Sequence, residues 1–253
     1  MGRVIAVVNQ KGGVGKTTTA VNLASGLAAA ERNTLLVDLD PQGNATTGLG
    51  VSKNGQFPTI YQSLIGAKPI GETIQKTALS HLFLVPSNID LVGAEIEFVP
   101  FADREFRLKQ ALVEVRNQFS FTLIDCPPSL GLLTLNALVA ADSALVPVQC
   151  EYYSLEGLAQ LLKTIDLVKK ELNHHLTTEG ILLTMFDGRT TLASEVKAEV
   201  ERHFSDQIFR TVIPRNVRLS EAPSHGKPII LYDLRSSGAT AYLELTKEVL
   251  GHD

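Results

Sequence analysis

Short runs of apolar and β-branched residues alternate along the chain with longer segments in which apolar residues recur at helical spacing. Apolar runs of about 4 to 8 residues are typical of strands buried on both faces, and amphipathic helices usually connect parallel strands of this kind. The pattern predicts an α/β fold: a doubly wound, mostly parallel sheet with helices on both faces. We expect strands at about 3–9, 34–39, 82–86, 121–125, 143–148, 180–186 and 208–213, and helices at about 17–31, 57–66, 101–118, 131–141, 154–172, 191–204 and 237–250.

A glycine-rich loop follows the first predicted strand and leads directly into the first predicted helix. It reads Asn9-Gln10-Lys11-Gly12-Gly13-Val14-Gly15-Lys16-Thr17-Thr18. Glycines let successive backbone N–H groups point at an anion, and a helix N-terminus adds about half a positive charge. A lysine in the position of Lys16 reaches the β- and γ-phosphates of a nucleotide, and the hydroxyl of Thr17 suits Mg²⁺. The loop therefore predicts a P-loop phosphate site.

The loop departs from the strict pattern G-x-x-x-x-G-K-[ST]. Gln10 stands where the pattern has its first glycine, and a second lysine, Lys11, stands at the mouth of the loop. A glycine turn that binds nothing would leave two lysines facing one small cavity without a counter-charge. We therefore interpret the loop as a phosphate site of a variant type.

Aspartates lie at, or just beyond, the ends of two of the predicted parallel strands. Ligands of such sheets bind beyond the carboxyl ends of the strands, so these positions are candidates for chemistry. We predict that Asp40 orients a water molecule on the γ-phosphate; the alternative is that it only begins a turn with Pro41. For Asp38 the sequence leaves two interpretations open: it supports the site residues around it, or it has no role in the site. Asp125 is predicted to accept from Thr17 or from a Mg²⁺-bound water, although buried strands often end in aspartate.

Two loops in the last third of the chain are expected at the same edge of the sheet. The rigid ring of Pro214 and the amide of Asn216 are suited to stacking on, and reading, an adenine base. Arg189, Arg215 and Arg218 form a small basic cluster. Local salt bridges would explain these three arginines nearly as well as a nucleic-acid contact does.

The bulk composition restricts the class of protein. A chain of 253 residues suits one α/β domain, so we expect a single domain over residues 1–253. The formal charge of −4 means that any contact with nucleic acid depends on a local patch. Cys126 and Cys150 are best interpreted as buried apolar residues of a cytosolic protein. Without a signal peptide or an apolar run of about 18 residues, we expect a soluble protein.

Together these motifs resemble the ParA/MinD family of deviant Walker A ATPases, and within it most closely the chromosome-partitioning ParA branch. The resemblance extends nearly from end to end, and its most specific parts are the glycine loop, the segment from Asp40 to Asn44, and the segment from Arg218 to Pro223. It is carried by Asn9–Asn22, Leu36–Gly50, Leu91–Pro100, Ile124–Asn136, Pro147–Glu156 and Val212–Tyr232.

The resemblance implies a weak, Mg²⁺-dependent ATPase that forms a nucleotide sandwich dimer. By motif position it implies that Lys16 holds the phosphates, that Thr17 and Asp125 form the Mg²⁺ environment, and that Asp40 acts on water. Lys11 would cross the dimer to the nucleotide of the other subunit.

The resemblance also implies partners. The ATP-bound dimer would bind DNA without sequence preference, through Arg189 and Arg218, and a centromere-binding ParB protein would release it by stimulating hydrolysis. A replication initiator is a further candidate partner, and the expected location is the cytoplasm, on the nucleoid. The chain shows no N-terminal helix-turn-helix extension, so site-specific operator binding is not expected.

Three alternatives share the fold. A MinD-like positioning ATPase would need a basic amphipathic C-terminal helix, whereas residues 243–253 are acidic, so no membrane partner is expected. An ATP-dependent amidase or ligase would need a further substrate pocket. An iron–sulfur protein would need more thiolates than two isolated cysteines provide.

Overall fold

Seven strands form one sheet at the centre of the protein. The computed structural model describes residues 2–53, 55–151 and 154–251. The strands are β1 (Arg3–Val7), β2 (Thr34–Asp38), β3 (Gln75–Lys76), β4 (Leu82–Val85), β5 (Phe121–Asp125), β6 (Ser143–Gln149) and β7 (Thr177–Thr184). Their order is β3-β4-β2-β5-β1-β6-β7, and every pairing is parallel except that of β3 with β4. The predicted doubly wound α/β sheet is confirmed.

Helices connect the strands. They are α1 (Lys16–Ala29), α2 (Asn44–Gly48), α3 (Ile60–Leu64), α4 (Leu91–Glu97), α5 (Arg107–Leu112), α6 (Leu132–Ala140), α7 (Ser154–Glu171), α8 (Thr191–Phe204), α9 (Val217–Glu221), α10 (Ile229–Tyr232) and α11 (Ser237–Gly251). Short 3₁₀ turns lie at Ile70–Thr73, Arg116–Gln118, Ser205–Gln207 and Ala222–His225.

The helices form a layer on each face of the sheet because alternate strand residues point to opposite sides. Ile5 and Val7 of β1 pack with residues of α1, α2, α9, α10 and α11, whereas Val4 and Ala6 pack with residues of α3 to α8. All five residues of β2, and all five of β5, are buried. Burial on both faces explains why these strands are almost continuously apolar.

Two predicted elements are wrong. Residues 208–213 do not form a strand: Ile208 makes an isolated bridge to Ile181 of β7, and Pro214, just after the segment, makes one to Phe186, just after β7. The predicted helix at 101–118 is also broken, because only Arg107–Leu112 is α-helical and a 3₁₀ turn follows at Arg116–Gln118.

The carboxyl ends of six parallel strands meet at one edge of this sheet. The loops that follow β1, β2, β5, β6 and β7 therefore lie close together, and these loops contain the residues selected from the sequence. In the part of the chain that the structure describes, no helix is both long enough and apolar enough to cross a bilayer.

Candidate nucleotide site

The glycine loop connects the buried end of β1 to the start of α1. Its turn needs positive φ at Gly13 (74°) and Gly15 (88°), a region that residues with a Cβ rarely adopt. Among the described residues, no side chain caps the N-terminus of α1. Thr184 of β7 fastens the loop, since its hydroxyl donates to the carbonyl of Val14 at 2.8 Å. The backbone N–H groups of the first turn of α1 are therefore accessible to an anion, and the binding of a phosphate there stays a prediction.

Lys16 begins α1 and is 7% exposed. Its Nζ donates to the carbonyl oxygen of Lys11 at 3.0 Å, so the ammonium lies across the loop. Burial lowers the pKa of Lys16, and the nearby carboxyls of Asp125 and Asp40 oppose this shift. The geometry brings one buried cation and two acids to the same small space.

Asp125 ends β5 and is fully buried. Neither of its carboxyl oxygens has a hydrogen-bond partner within the described chain. Burial, followed by the neighbouring Asp38, raises the pKa of Asp125 well above its usual value, and the Thr17 hydroxyl and Lys16 counteract the rise. Buried carboxylates are rarely left without partners. An unpartnered buried carboxyl beside a threonine hydroxyl fits a hydrated Mg²⁺, whose preferred ligands are oxygens.

Asp38 and Asp40 lie at the end of β2 and have different surroundings. Asp38 is paired in register with Asp125, and burial raises its pKa to about 6. It accepts from the backbone N–H and the hydroxyl of Thr46, each at 2.7 Å. Asp40 is 7% exposed and accepts from Gln42 N–H at 2.9 Å, which is the predicted Asx-type turn. Asp40 forms this turn and also lies near Lys16. The turn therefore does not exclude the predicted role of Asp40 in orienting a water molecule.

The side chain of Lys11 does not lie in the loop as that of Lys16 does. Its Nζ pairs with Glu151 Oε2, in the loop after β6, at 2.8 Å. The two side chains are 43% and 47% exposed. Gln149 donates to the other oxygen of Glu151 at 2.6 Å. The two lysines of the loop thus lie in unlike environments, one buried in the site and one at its rim.

A cavity of about 410 Å³ adjoins the glycine loop. Gly15 and Thr18 line it on one side, and Pro214 and Asn216 line it on the other. Asn216 caps α9, since its Oδ1 accepts from Arg218 N–H at 2.8 Å, and its Nδ2 donates to Ser237 Oγ at 2.8 Å. The structure therefore brings together the loop and both residues predicted to contact the base; the base contact itself stays a prediction.

The predicted basic cluster is partly neutralised within the chain. The guanidinium of Arg189 donates two hydrogen bonds to Asp187, at 2.8 and 2.7 Å, and the side chain is 87% exposed. Arg218 lies between Glu221, at 2.8 Å, and Asp233, at 3.4 Å. Exposed pairs of this kind are weak, so both arginines remain available to a stronger anion.

Sequence reasoning did not select Glu151, Met185 or Thr184. Glu151 follows a strand beside β1, and the rule that selected Asp125 would also have drawn attention to it. Met185 lines the cavity with φ at 52°, and nothing in the local sequence indicates this left-handed conformation. Thr184 meets the glycine loop across 170 positions of the chain.

A parallel sheet whose first loop is a glycine-rich anion cradle, with a buried lysine and an unpartnered aspartate beside it, defines a P-loop nucleotide-binding protein. A family model described as an AAA domain matches residues 2–178. The chromosome partitioning protein ParA of Myxococcus xanthus is 58% identical over 253 residues, covering all of this chain and 89% of the relative. The sporulation initiation inhibitor protein Soj of Bacillus subtilis is 58% identical over 249 residues, with 98% of each chain covered. A solved structure described as cobyrinic acid a,c-diamide synthase of Mycobacterium smegmatis, with a bound ATP analogue and magnesium, is 38% identical with a TM-score of 0.88, covering all of this chain and 96% of that one.

The chain belongs to the ParA/Soj family of chromosome-partitioning ATPases, within the wider ParA/MinD group. The resemblance inferred from the motifs is thereby confirmed.

Proposed function

We propose that this protein is an ATP-dependent dimerising switch for DNA partitioning. It binds ATP and Mg²⁺ at the glycine loop, dimerises around the nucleotide, and in that state binds DNA without sequence preference. Slow hydrolysis to ADP and phosphate, stimulated by a ParB-type partner, reverses the assembly. Retention on DNA would place the ATP-bound protein on the nucleoid.

The observation that carries the proposal is the unlike placement of the two lysines. Lys16 serves the nucleotide of its own chain, because it is buried in the loop. Lys11 is half-exposed at the rim, where the only partner of its ammonium among the described residues is the similarly exposed Glu151. Exposed pairs of this kind contribute about 0 to 1 kcal/mol. A triphosphate presented by a second copy would therefore displace Glu151 readily.

Within one subunit the proposed roles follow from burial and charge. Lys16 and the N-terminus of α1 bind the phosphates, and Thr17 and Asp125 hold Mg²⁺. Bound Mg²⁺ would neutralise charge on the phosphates. Asp40, held near Lys16 by its turn, orients the attacking water. Pro214 and Asn216 contact the base in the adjoining cavity.

The DNA contact is assigned to Arg189 and Arg218. Each subunit offers few cations and its arginines already have acidic partners, so a single subunit would bind DNA weakly. Two linked patches bind with a much higher effective affinity than one. Dimerisation on ATP therefore acts as a switch for DNA binding. A replication initiator is not part of the proposal, because neither the described residues nor the comparisons support one.

The decisive experiment replaces Lys11 by alanine. We expect K11A to bind a fluorescent ATP analogue as the unmodified protein does, because Lys11 does not enter its own loop. With ATP it should remain a monomer in analytical ultracentrifugation and should not be retained on DNA. K68A is the matched control, since Lys68 forms an equally exposed pair with Glu72, 3.1 Å long, on the surface.

The outcome that contradicts the proposal is equally clear. If K11A dimerises with ATP to the same extent as K68A, Lys11 does not sense a second copy. If the unmodified protein stays monomeric with ATP and Mg²⁺ at every salt concentration, the dimerising switch itself is wrong.

A further inference from the structure

The loop that carries Asp40 is closed by a single carboxylate. Asp38, the last residue of β2, accepts from Asp40 N–H through Oδ1 at 3.2 Å. Through Oδ2 it accepts from the N–H and the hydroxyl of Thr46, in α2. Both ends of the segment from Asp40 to Thr46 are therefore fastened to one side chain at the end of a buried strand.

The Thr46 hydroxyl does more than close this loop. Its oxygen accepts from the backbone N–H of Ser87 at 2.9 Å, while its hydrogen goes to Asp38. Thr46, Asp38 and Ser87 are all fully buried, so water does not replace these bonds. One hydroxyl thus joins the end of β2, the start of α2 and the segment after β4.

The segment from Asp40 to Thr46 lies next to the proposed reaction centre. Asp38 is the register partner of Asp125, and Asp40 acts electrostatically on Lys16. Within the segment, Gly43 N–H donates to the carbonyl of Asp40 at 2.9 Å. The orientation of the Asp40 carboxylate therefore depends on where Thr46 holds the far end of the turn.

We infer that Thr46 is a positioning residue for nucleotide hydrolysis: its hydroxyl fixes the Asp40 loop against the phosphate site without touching the nucleotide. The inference rests on the proposed function, because it names how the proposed water-orienting residue is held. Misplacement of a reacting group by about 1 Å costs on the order of 100-fold in rate. Thr46 therefore determines turnover and leaves nucleotide affinity unchanged.

The test compares Thr46→Val with Thr46→Ser. Valine keeps the shape of threonine but removes both hydroxyl bonds, whereas serine keeps them. We expect kcat for ATP to fall at least 10-fold in T46V with KM within about threefold, and T46S to restore most of the turnover. T164V is the control for the loss of a threonine hydroxyl, because the half-buried Thr164 of α7 donates, among the described residues, only to the carbonyl of Gln160 in its own helix. T46A repeats the measurement should T46V unfold at the assay temperature.

Two further measurements separate positioning from general stability. If Thr46 acts through Asp40, adding T46V to D40A should cause no further loss of turnover. Amide hydrogen exchange of residues 39–47 in the nucleotide-free protein should rise at least 10-fold in T46V and remain low in T46S.

Different results would overturn the inference about Thr46 and the proposed function. Equal turnover in T46V and the unmodified protein, multiplicative effects of T46V and D40A, or unchanged exchange at residues 39–47 would overturn the inference. Absence of ATP hydrolysis by the unmodified protein would instead refute the proposed function, and the exchange measurement would still decide whether Thr46 holds the loop.

Discussion

At the scale of single residues, Asp125 is the group that the fold alone explains least. A carboxyl that is buried without a hydrogen-bond partner costs about 1 to 3 kcal/mol, more when it is ionised. The structure nevertheless places Asp125 beside Asp38, a second buried acid, which makes ionisation harder still. We therefore expect Asp125 to lower the stability of the fold, a cost that is common at functional sites.

We predict that Asp125→Asn stabilises the nucleotide-free protein. The pKa of Asp125 is raised in the folded state, so between its unfolded and folded pKa values the folded protein binds more protons than the unfolded chain. Stability of the unmodified protein therefore falls as pH rises through that window, whereas the asparagine variant avoids this loss. Urea denaturation with EDTA should show a gain of about 1 to 3 kcal/mol at pH 8 and a smaller gain at pH 5.

D166N, an exposed change on α7, is the control for this substitution and should unfold like the unmodified protein at both pH values. We expect Mg²⁺ and ATP together to stabilise the unmodified protein, and D125N to lose this stabilisation. Equal unfolding free energies of D125N and the unmodified protein at pH 8 would contradict the interpretation of Asp125 as a costly buried acid.

At the scale of elements, sequence patterns predicted the long and buried parts best. Strands β1, β2 and β5 are apolar on both faces, so their runs are continuous and easily located. Helices α2, α9 and α10 have 5, 5 and 4 residues, too few for a periodic pattern to emerge. The segment at 208–213 has the composition of a strand, but it pairs with β7 only at isolated positions.

The residues of the candidate site also differ in how well the sequence predicts them. Lys16, Asp40 and Asp125 could be selected because each belongs to a local motif at, or shortly after, the end of a strand. The pairing of Lys11 with Glu151 and that of Thr46 with Ser87 join residues 140 and 41 positions apart. Contacts of this kind depend on the order of the strands in the sheet, and a local sequence pattern does not predict that order.

The proposed DNA contact consists of Arg189, in the loop after β7, and Arg218, in α9. We expect Arg189→Glu combined with Arg218→Glu to abolish DNA retention while leaving ATP-dependent dimerisation intact, because both side chains are exposed and neither lines the nucleotide cavity. In single-arginine variants, replaced by alanine, the salt dependence of log K should fall by roughly 0.9 for each phosphate that the protein no longer neutralises. Sedimentation with DNA across a salt series measures both effects.

Arg202→Glu is the matched control for the arginine variants. Arg202 is also exposed and paired with an acid, Glu199, at 2.8 Å, but it lies at the far end of α8 from Arg189. DNA retention by R202E should match that of the unmodified protein. Loss of dimerisation together with DNA binding in the double arginine variant would indicate a structural role instead.

At the scale of the whole molecule, the sheet concentrates separate tasks on one edge. The proposed phosphate site follows β1, the proposed water-orienting Asp40 follows β2, the proposed Mg²⁺ ligand Asp125 ends β5, and the partner of Lys11 follows β6. Of the proposed DNA contacts, Arg189 lies in the loop after β7 and Arg218 lies further along the chain, in α9. In the proposed dimer a second copy would cover this edge and contact these loops together, which would let the state of the nucleotide control assembly and DNA binding.

Asp40→Ala tests this coupling, because it should stop hydrolysis without weakening the contacts that build the dimer. Lys11, Lys16 and Asp125 remain in place, so D40A should bind ATP and dimerise, while turnover falls by about 100-fold or more, the range of contribution of a general base. On DNA-coated beads washed with ATP-free buffer, D40A should persist long after the unmodified protein has dissociated, and a ParB-type partner should not accelerate its release. D166A, an exposed change on α7, should dissociate like the unmodified protein. Turnover by D40A equal to that of D166A would refute the role of Asp40. If D40A instead loses turnover but leaves DNA as fast as the unmodified protein, hydrolysis does not cause the release of the dimer from DNA.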